Sequence, residues 1–146
     1  MGYFLFGVNM ARLVMLNHSA STTATRLTHP RTGANIRKFG LKRITVWNEQ
    51  GTIGGGFNLN NQASGSVGLW GVLELYDSTS ATPSATDLVM RIPVSGKSRL
   101  TFDLPDHGIV FKNGIVLDIG SEKSNNGSDT MSVQLLGYEY TNVRTT

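Results

Sequence analysis

The chain has 146 residues, is 39% hydrophobic and 16% charged, carries a net charge of +3 and contains no cysteine. A chain of this length buries about 70% of its unfolded surface, enough for one core without staples, and the lack of cysteine excludes a disulfide scaffold, thiolate-bound zinc and thiol catalysis while agreeing with synthesis in a reducing cytoplasm. The charge is asymmetric: residues 1–48 carry seven bases and no acid, +7, whereas residues 49–146 carry ten acids and six bases, −4, so a basic front is expected to meet an acidic surface or the body of another copy.

Residues 1–16 form an apolar lead, read as a strand or a short segment packed on a neighbour, with a helix as the alternative. No basic region precedes Tyr3–Leu16, Asn9 and Arg12 interrupt it, and no window of about 20 residues is continuously apolar, so neither a signal peptide nor a membrane helix is expected. Phe6 stands where a myristoylation pattern wants Ser or Thr. Asn17–Asn35, rich in Ser, Thr and Ala and containing His29-Pro30, reads as an extended arm or loop. Ile36–Asn48 is the first clear strand region, with Ile44 and Val46 facing inward. Glu49–Ser66, with five glycines, reads as a long loop anchored by Phe57 and Leu59.

Val67–Tyr76 is a strand with Leu69, Leu73 and Leu75 on one face and Trp70, Val72, Glu74 and Tyr76 on the other. After a Ser/Thr/Pro turn, Asp87–Val94 alternates Leu88, Met90, Ile92 and Val94 with Val89, Arg91 and Pro93. Because Pro93 cannot donate to a ladder, this strand belongs at an end or an edge. Ser98–Leu104 follows, with Leu100 and Phe102 on one face. In Gly108–Gly120, Lys112-Asn113-Gly114 separates Ile109–Phe111 from Ile115–Ile119, and the Asn-Gly step predicts a β-hairpin. Ser121–Asp129 reads as a polar loop. Thr130–Val143 is the closing strand, Val133 and Leu135 opposing Gln134, Leu136, Tyr138 and Tyr140.

Seven to eight closely spaced strands with almost no helix predict an all-β fold, an antiparallel β-sandwich that is jelly-roll-like and carries an extended N-terminal arm. Immunoglobulin-like topology is the alternative, but its Cys–Trp–Cys framework is missing. Two parts are expected: a basic, partly extended arm over residues 1–37 and a sandwich domain over 38–146.

Chemistry-bearing patterns are sparse. His18, His29 and His107 lie far apart in loops or the arm, and no Gly-x-Ser-x-Gly is present, so no enzymatic activity is expected. Asp77, Asp87, Asp103, Asp106 and Asp118 match no EF-hand spacing and suit turn chemistry better than a metal site. Gly54-Gly55-Gly56 lacks the Gly-Lys-Ser/Thr that completes a phosphate cradle, and no cofactor is expected. Arg26, Arg31, Arg37, Lys38, Lys42 and Arg43 form a basic stretch, the candidate partner-contact residues. It could track a phosphate backbone, but aromatic interleaving is limited to Phe39 and Trp47, which disfavours nucleic acid. Trp47, Trp70, Tyr76, Tyr138 and Tyr140 offer aromatic faces for sugar stacking.

Leu69–Tyr76 leading into Asp77-Ser78-Thr79-Ser80, then Ile92-Pro93-Val94, Leu100–Pro105, Ile109–Leu117 and Val133–Tyr140, resembles the succession of strands and turns in small β-sandwich structural proteins of tailed bacteriophages. The resemblance spans roughly residues 40–141 and leaves residues 1–37 unmatched. It implies a non-enzymatic virion component: a capsid decoration or cement protein, or a neck or tail component, localised in the virion after synthesis in the host cytoplasm. Its implied partners are copies of itself and the major capsid or other virion proteins, reached through the arm, with no membrane. A carbohydrate-binding sandwich of a tail fibre or receptor-binding protein is the alternative function, with a possible glycan partner at Trp47, Trp70 or the Gly51–Ser66 loop. A nucleic-acid-binding arm protein is a further alternative.

Overall fold

The computed structural model describes residues 8–21, 23–48, 70–95, 98–105, 108–119 and 131–143, with the backbone alone at 8–10, 70, 95 and 141–143. Among the described residues nine strands are formed: β1 (Val8–Ala20), β2 (Thr25–Arg26), β3 (Lys38–Trp47), β4 (Trp70–Asp77), β5 (Leu88–Ser95), β6 (Arg99–Asp103), β7 (Ile109–Phe111), β8 (Ile115–Ile119) and β9 (Met131–Val143), with one 3₁₀ turn at Ala85–Asp87. They make two antiparallel sheets. The front sheet runs β1-β9-β3-β6, with β7 also on β3, and the back sheet runs β2-β8-β4-β5.

The pairings are nested. β4 pairs with β5, β3 with β6 and β7, β2 with β8 and β1 with β9. β6 and β7 act as one interrupted strand, pairing with Arg43–Trp47 and Phe39–Leu41 respectively, while the Leu104 N–H bonds the Lys42 carbonyl between them. A hairpin of this kind, folded over so that successive pairs alternate between two sheets, is a jelly roll. The fold class read from the strand pattern is thus the observed one.

Alternation places the core. Ile44, Val46, Leu73, Leu75, Val94, Ile115, Leu117, Ile119 and Leu135 are fully buried between the sheets. Phe39 and Phe111, directly opposite across β3 and β7, are buried with them. In β3 the inward set switches from Phe39 and Leu41 to Ile44 and Val46. The switch is a β-bulge at Lys42, which β9 skips by pairing Leu41 with Gly137 and Arg43 with Leu136. β3 and β9 approach closely here: a Cβ on Gly137 would stand 2.2 Å from the Gly40 carbonyl oxygen and 2.5 Å from the Phe39 ring. Among the described strands β5 lies at the edge of the back sheet, as Pro93 requires.

Two expectations need correction. Residues 8–36 are not an arm outside the sandwich. β1 pairs with β9 over thirteen consecutive residues, β2 joins the back sheet, and Val14, Leu16, Ala20, Leu27 and Ile36 lie in the core. The boundary at residue 37 therefore separates no independent part among the described residues; the polar composition of 17–35 reflects two-sided strand ends and a turn, with burial carried by a few apolar positions. Residues 1–7, and the loop expected at Gly51–Ser66 with Phe57 and Leu59, lie outside the described residues, as do Leu69, Asp106, His107 and Ser121–Asp129.

Asn113-Gly114 also departs from expectation. Its flanking strands do not form a hairpin, because β7 lies in the front sheet and β8 in the back sheet; the turn is a corner between sheets. Asp77 at the end of β4 holds that corner, its carboxylate accepting the N–H groups of Lys112 (2.9 Å), Asn113 (2.7 Å) and Gly114 (3.3 Å). Gly114 has φ of 155° and its missing Cβ would meet the Ser78 carbonyl oxygen at 2.7 Å, so only glycine fits.

Asp77→Ala, which strands three backbone donors, is expected to lower the unfolding free energy by about 2 kcal/mol. Gly137→Ala, which forces β3 away from β9, is expected to cost about 3 kcal/mol. Urea denaturation followed by circular dichroism checks both, and a loss near zero in either would contradict the packing described.

Candidate functional site: the outer face of the front sheet

Residues alternate to the outside of the front sheet in cross-strand rows fixed by the register. Toward one end, Leu13 stands opposite Tyr138 and Met15 opposite Leu136, and Val110 stands opposite Gly40, itself the β3 partner of Tyr138. Leu13 is 58% exposed and Met15 45%, and Tyr138 and Val110 are also exposed. Such a cluster of uncovered apolar side chains on a rigid sheet is uncommon on a lone soluble domain.

Toward the other end the same face is polar. One row reads Ser19, Ser132, Trp47 and Arg99, the next Asn17, Gln134, Thr45 and Thr101. The Gln134 amide N–H donates to the Asn17 carbonyl oxygen (3.1 Å) and the Thr45 and Thr101 hydroxyls share a hydrogen bond (3.1 Å). All of these but Thr101 line a recess of about 460 Å³, with Trp47 47% exposed at its wall.

The six candidate contact residues do not converge on one surface. Arg26, outward on the back sheet beside Val116, donates to the Thr79 carbonyl (2.8 Å) and the Asn113 carbonyl (3.3 Å) and so clamps two loops together. Arg31 is exposed in the turn after His29, its backbone N–H donating to His29 Nδ1, and Arg37 is exposed just before β3. Lys38 lies over the Tyr140 ring at 5.4 Å from its centroid. Lys42 is the half-exposed bulge residue. Arg43 donates to the Asp103 carboxylate at 2.6 Å, which holds the guanidinium more firmly protonated through that hydrogen bond and the adjacent negative charge. The uniform basic front of the sequence is thus dispersed over both sheets and partly spent on internal contacts.

Two polar clusters lie elsewhere. Buried His29 has its Nε2 3.3 Å from Glu139 and within 2.9 Å of the Arg12 guanidinium, and Arg12 and Glu139 are themselves cross-strand partners. On the outer side of the back sheet Glu74 is buried between Arg91 (3.0 Å) and the Tyr76 hydroxyl, which donates to it at 2.5 Å. Asp118 is its β8 partner. Burial, followed by the hydrogen bond to Glu74 and the nearby negative charges, pushes the Tyr76 phenol up to about 12. Asp77 and Asp87 serve turns, Asp87 accepting the Ser84 N–H. Among the described residues no group of His, Asp and Glu has metal-holding geometry, and no helix is long and apolar enough to cross a membrane.

No family model, curated protein or solved structure matches this chain.

Of the aromatics proposed for stacking, Trp47 stands exposed at the recess and Tyr138 in the apolar patch; Tyr76 is tied to Glu74 and the Trp70 side chain lies outside the described residues. The apolar patch escaped the sequence reading, although its signal is visible: Leu13-Val14-Met15-Leu16 is apolar at both parities, the mark of a strand covered on both faces.

His18, half-buried on β1, has its Nε2 buried without a hydrogen-bond partner among the described residues, and burial holds its pKa below the ordinary 6.5. The folded protein therefore binds this proton more weakly than the unfolded chain, and stability falls as pH drops through the ordinary histidine range. Thermal midpoints measured between about pH 7.5 and about pH 5.5 should decline less steeply in His18→Gln than in the wild type; equal slopes would show that His18 does not contribute.

Proposed function

We propose that this protein is a non-enzymatic structural component of a virion, a capsid decoration or cement protein of a tailed bacteriophage, acting as a homo-oligomer that docks on the shell. The carrying observation is the uncovered apolar half of the front sheet at Leu13, Met15, Val110 and Tyr138. The jelly roll is a recurrent capsid architecture but also serves lectins and cupins, so the fold supports this reading without deciding it.

The occupant of the apolar half is a second copy of this chain. A two-fold contact sets each patch against itself. On this face Arg43 and Asp103 neutralise one another across β3 and β6, and Lys38, one row beyond Tyr138, is held over the Tyr140 ring, so the charges bordering the patch are engaged within each copy. Docking through a free arm over residues 1–37 is replaced by docking through a sheet face, because residues 8–20 are built into that sheet.

Light scattering of the purified protein should give a dimer or higher oligomer, and Leu13→Glu with Tyr138→Ser should give a folded monomer with a native circular dichroism spectrum. A wild-type monomer at high protein concentration would overturn self-association. Mass spectrometry of gradient-purified particles should find the chain in many copies per virion, and its absence from them would overturn the virion assignment.

A further inference from the structure

We propose that the polar end of the front sheet is a saccharide-binding site that stacks a hexopyranose on Trp47 and prefers sugars bearing a carboxylate, through Arg99. This inference does not depend on the virion reading.

Trp47 lies on β3, which β9 flanks on one side and β6 on the other. A half-exposed indole there is held on a paired, rigid strand, where an aromatic is costly to leave in water unless something covers it. Its direct β6 partner is Arg99. Among the described residues the Trp47 indole N–H and the Arg99 guanidinium engage in no hydrogen bond or ion pair, in contrast to Arg43 two rows away, which is neutralised by Asp103.

The groups beside them are neutral hydrogen bonders in fixed orientation. In the Gln134–Asn17 pair, one amide N–H and one carbonyl are used on each other, which leaves the Asn17 NH₂ as donor and the Gln134 carbonyl as acceptor toward the recess. The Thr45–Thr101 pair fixes its hydroxyls in the same way. With strands about 4.8 Å apart and same-face residues about 7 Å apart along a strand, the two rows cover about 14 Å by about 7 Å, the footprint of one or two pyranose rings. A sugar offers an apolar ring face for the indole and a rim of hydroxyls that both donate and accept, and this surface supplies both kinds of contact.

The charge pattern decides between ligand classes. Among the described residues Arg99 is the one lysine or arginine bordering the recess, whereas tracking a nucleic-acid backbone takes a row of cations. A single guanidinium suits a single carboxylate, which it can hold through two parallel hydrogen bonds. The recess thus fits a uronate-type residue within a glycan better than a phosphodiester strand.

The test uses the full chain on an array of neutral hexose oligomers and uronate-containing oligomers, with the strongest binder followed by calorimetric titration. Retention of uronate oligomers over neutral ones is expected. Trp47→Ala should weaken binding at least tenfold, and Arg99→Gln should abolish the preference for acidic sugars while leaving binding to neutral ones. Both residues are exposed, so the variants should keep the wild-type circular dichroism spectrum, and ¹H–¹⁵N chemical-shift changes on adding digalacturonate should centre on Thr45, Trp47, Arg99 and Gln134. No retained glycan, binding unaffected by Trp47→Ala, or tight binding of oligo-dT in place of sugars would each overturn the proposal.

Discussion

The structure depends on the ladder between β1 and β9, thirteen consecutive antiparallel pairs from Val8 with Val143 to Ala20 with Met131. It joins the first and last of the described strands and closes the nest that β4 and β5 begin. Val14, Leu16 and Ala20 enter the core through it, beside Met131, Val133 and Leu135. Without β1, β9 would become an edge, and one side of the core would face water. Such pairing between distant segments forms late and slowly, since the loop between them must close before any contact is gained.

The remaining pairs need corners that pass the chain from sheet to sheet, and polar groups of high specificity hold these corners. Asp77 collects three backbone N–H groups at Lys112–Gly114, and Arg26 ties the Asn113 carbonyl to that of Thr79 on the adjoining loop. β4, β8 and the β7–β8 corner are thereby fixed as a unit. The bulge at Lys42 does the corresponding work in the front sheet. It changes which parity of β3 faces inward, and at the same residue it lets β6 and β7 share one partner strand.

This arrangement gives the outer face of the front sheet its two characters. β1 and β9 supply Leu13, Met15, Leu136 and Tyr138 at one end, and Asn17, Ser19, Ser132 and Gln134 at the other. β3 adds Trp47 and Thr45 to the polar end, completed by Arg99 and Thr101 of β6. One end is suited to exclude water against a partner and the other to exchange hydrogen bonds with a hydroxyl-rich ligand, so assembly and recognition can occupy one rigid surface without competing for it.

The period of two in the sequence determined the all-β class, most inward positions in Val72–Tyr76, Leu88–Val94 and Met131–Tyr140, and the edge position that Pro93 imposes on β5. Alternation is a local property of the backbone, so those features follow from neighbouring residues. Pairing was decided only by tertiary structure. Asn113-Gly114 has the chemistry of a hairpin, yet the Asp77 clamp and the separate partners of β7 and β8 make it a corner between sheets. The polar run 17–35 has the composition of an arm, yet a few apolar residues, Ala20 and Leu27 within it and Ile36 just after it, suffice to anchor it in the core against strands far along the chain. Six basic residues within one stretch, Arg26 to Arg43, are dispersed because alternate residues of a strand face opposite ways and successive strands enter different sheets. Conversely, Trp47 and Arg99, fifty-two positions apart, become neighbours through one β3–β6 register, which no local pattern encodes.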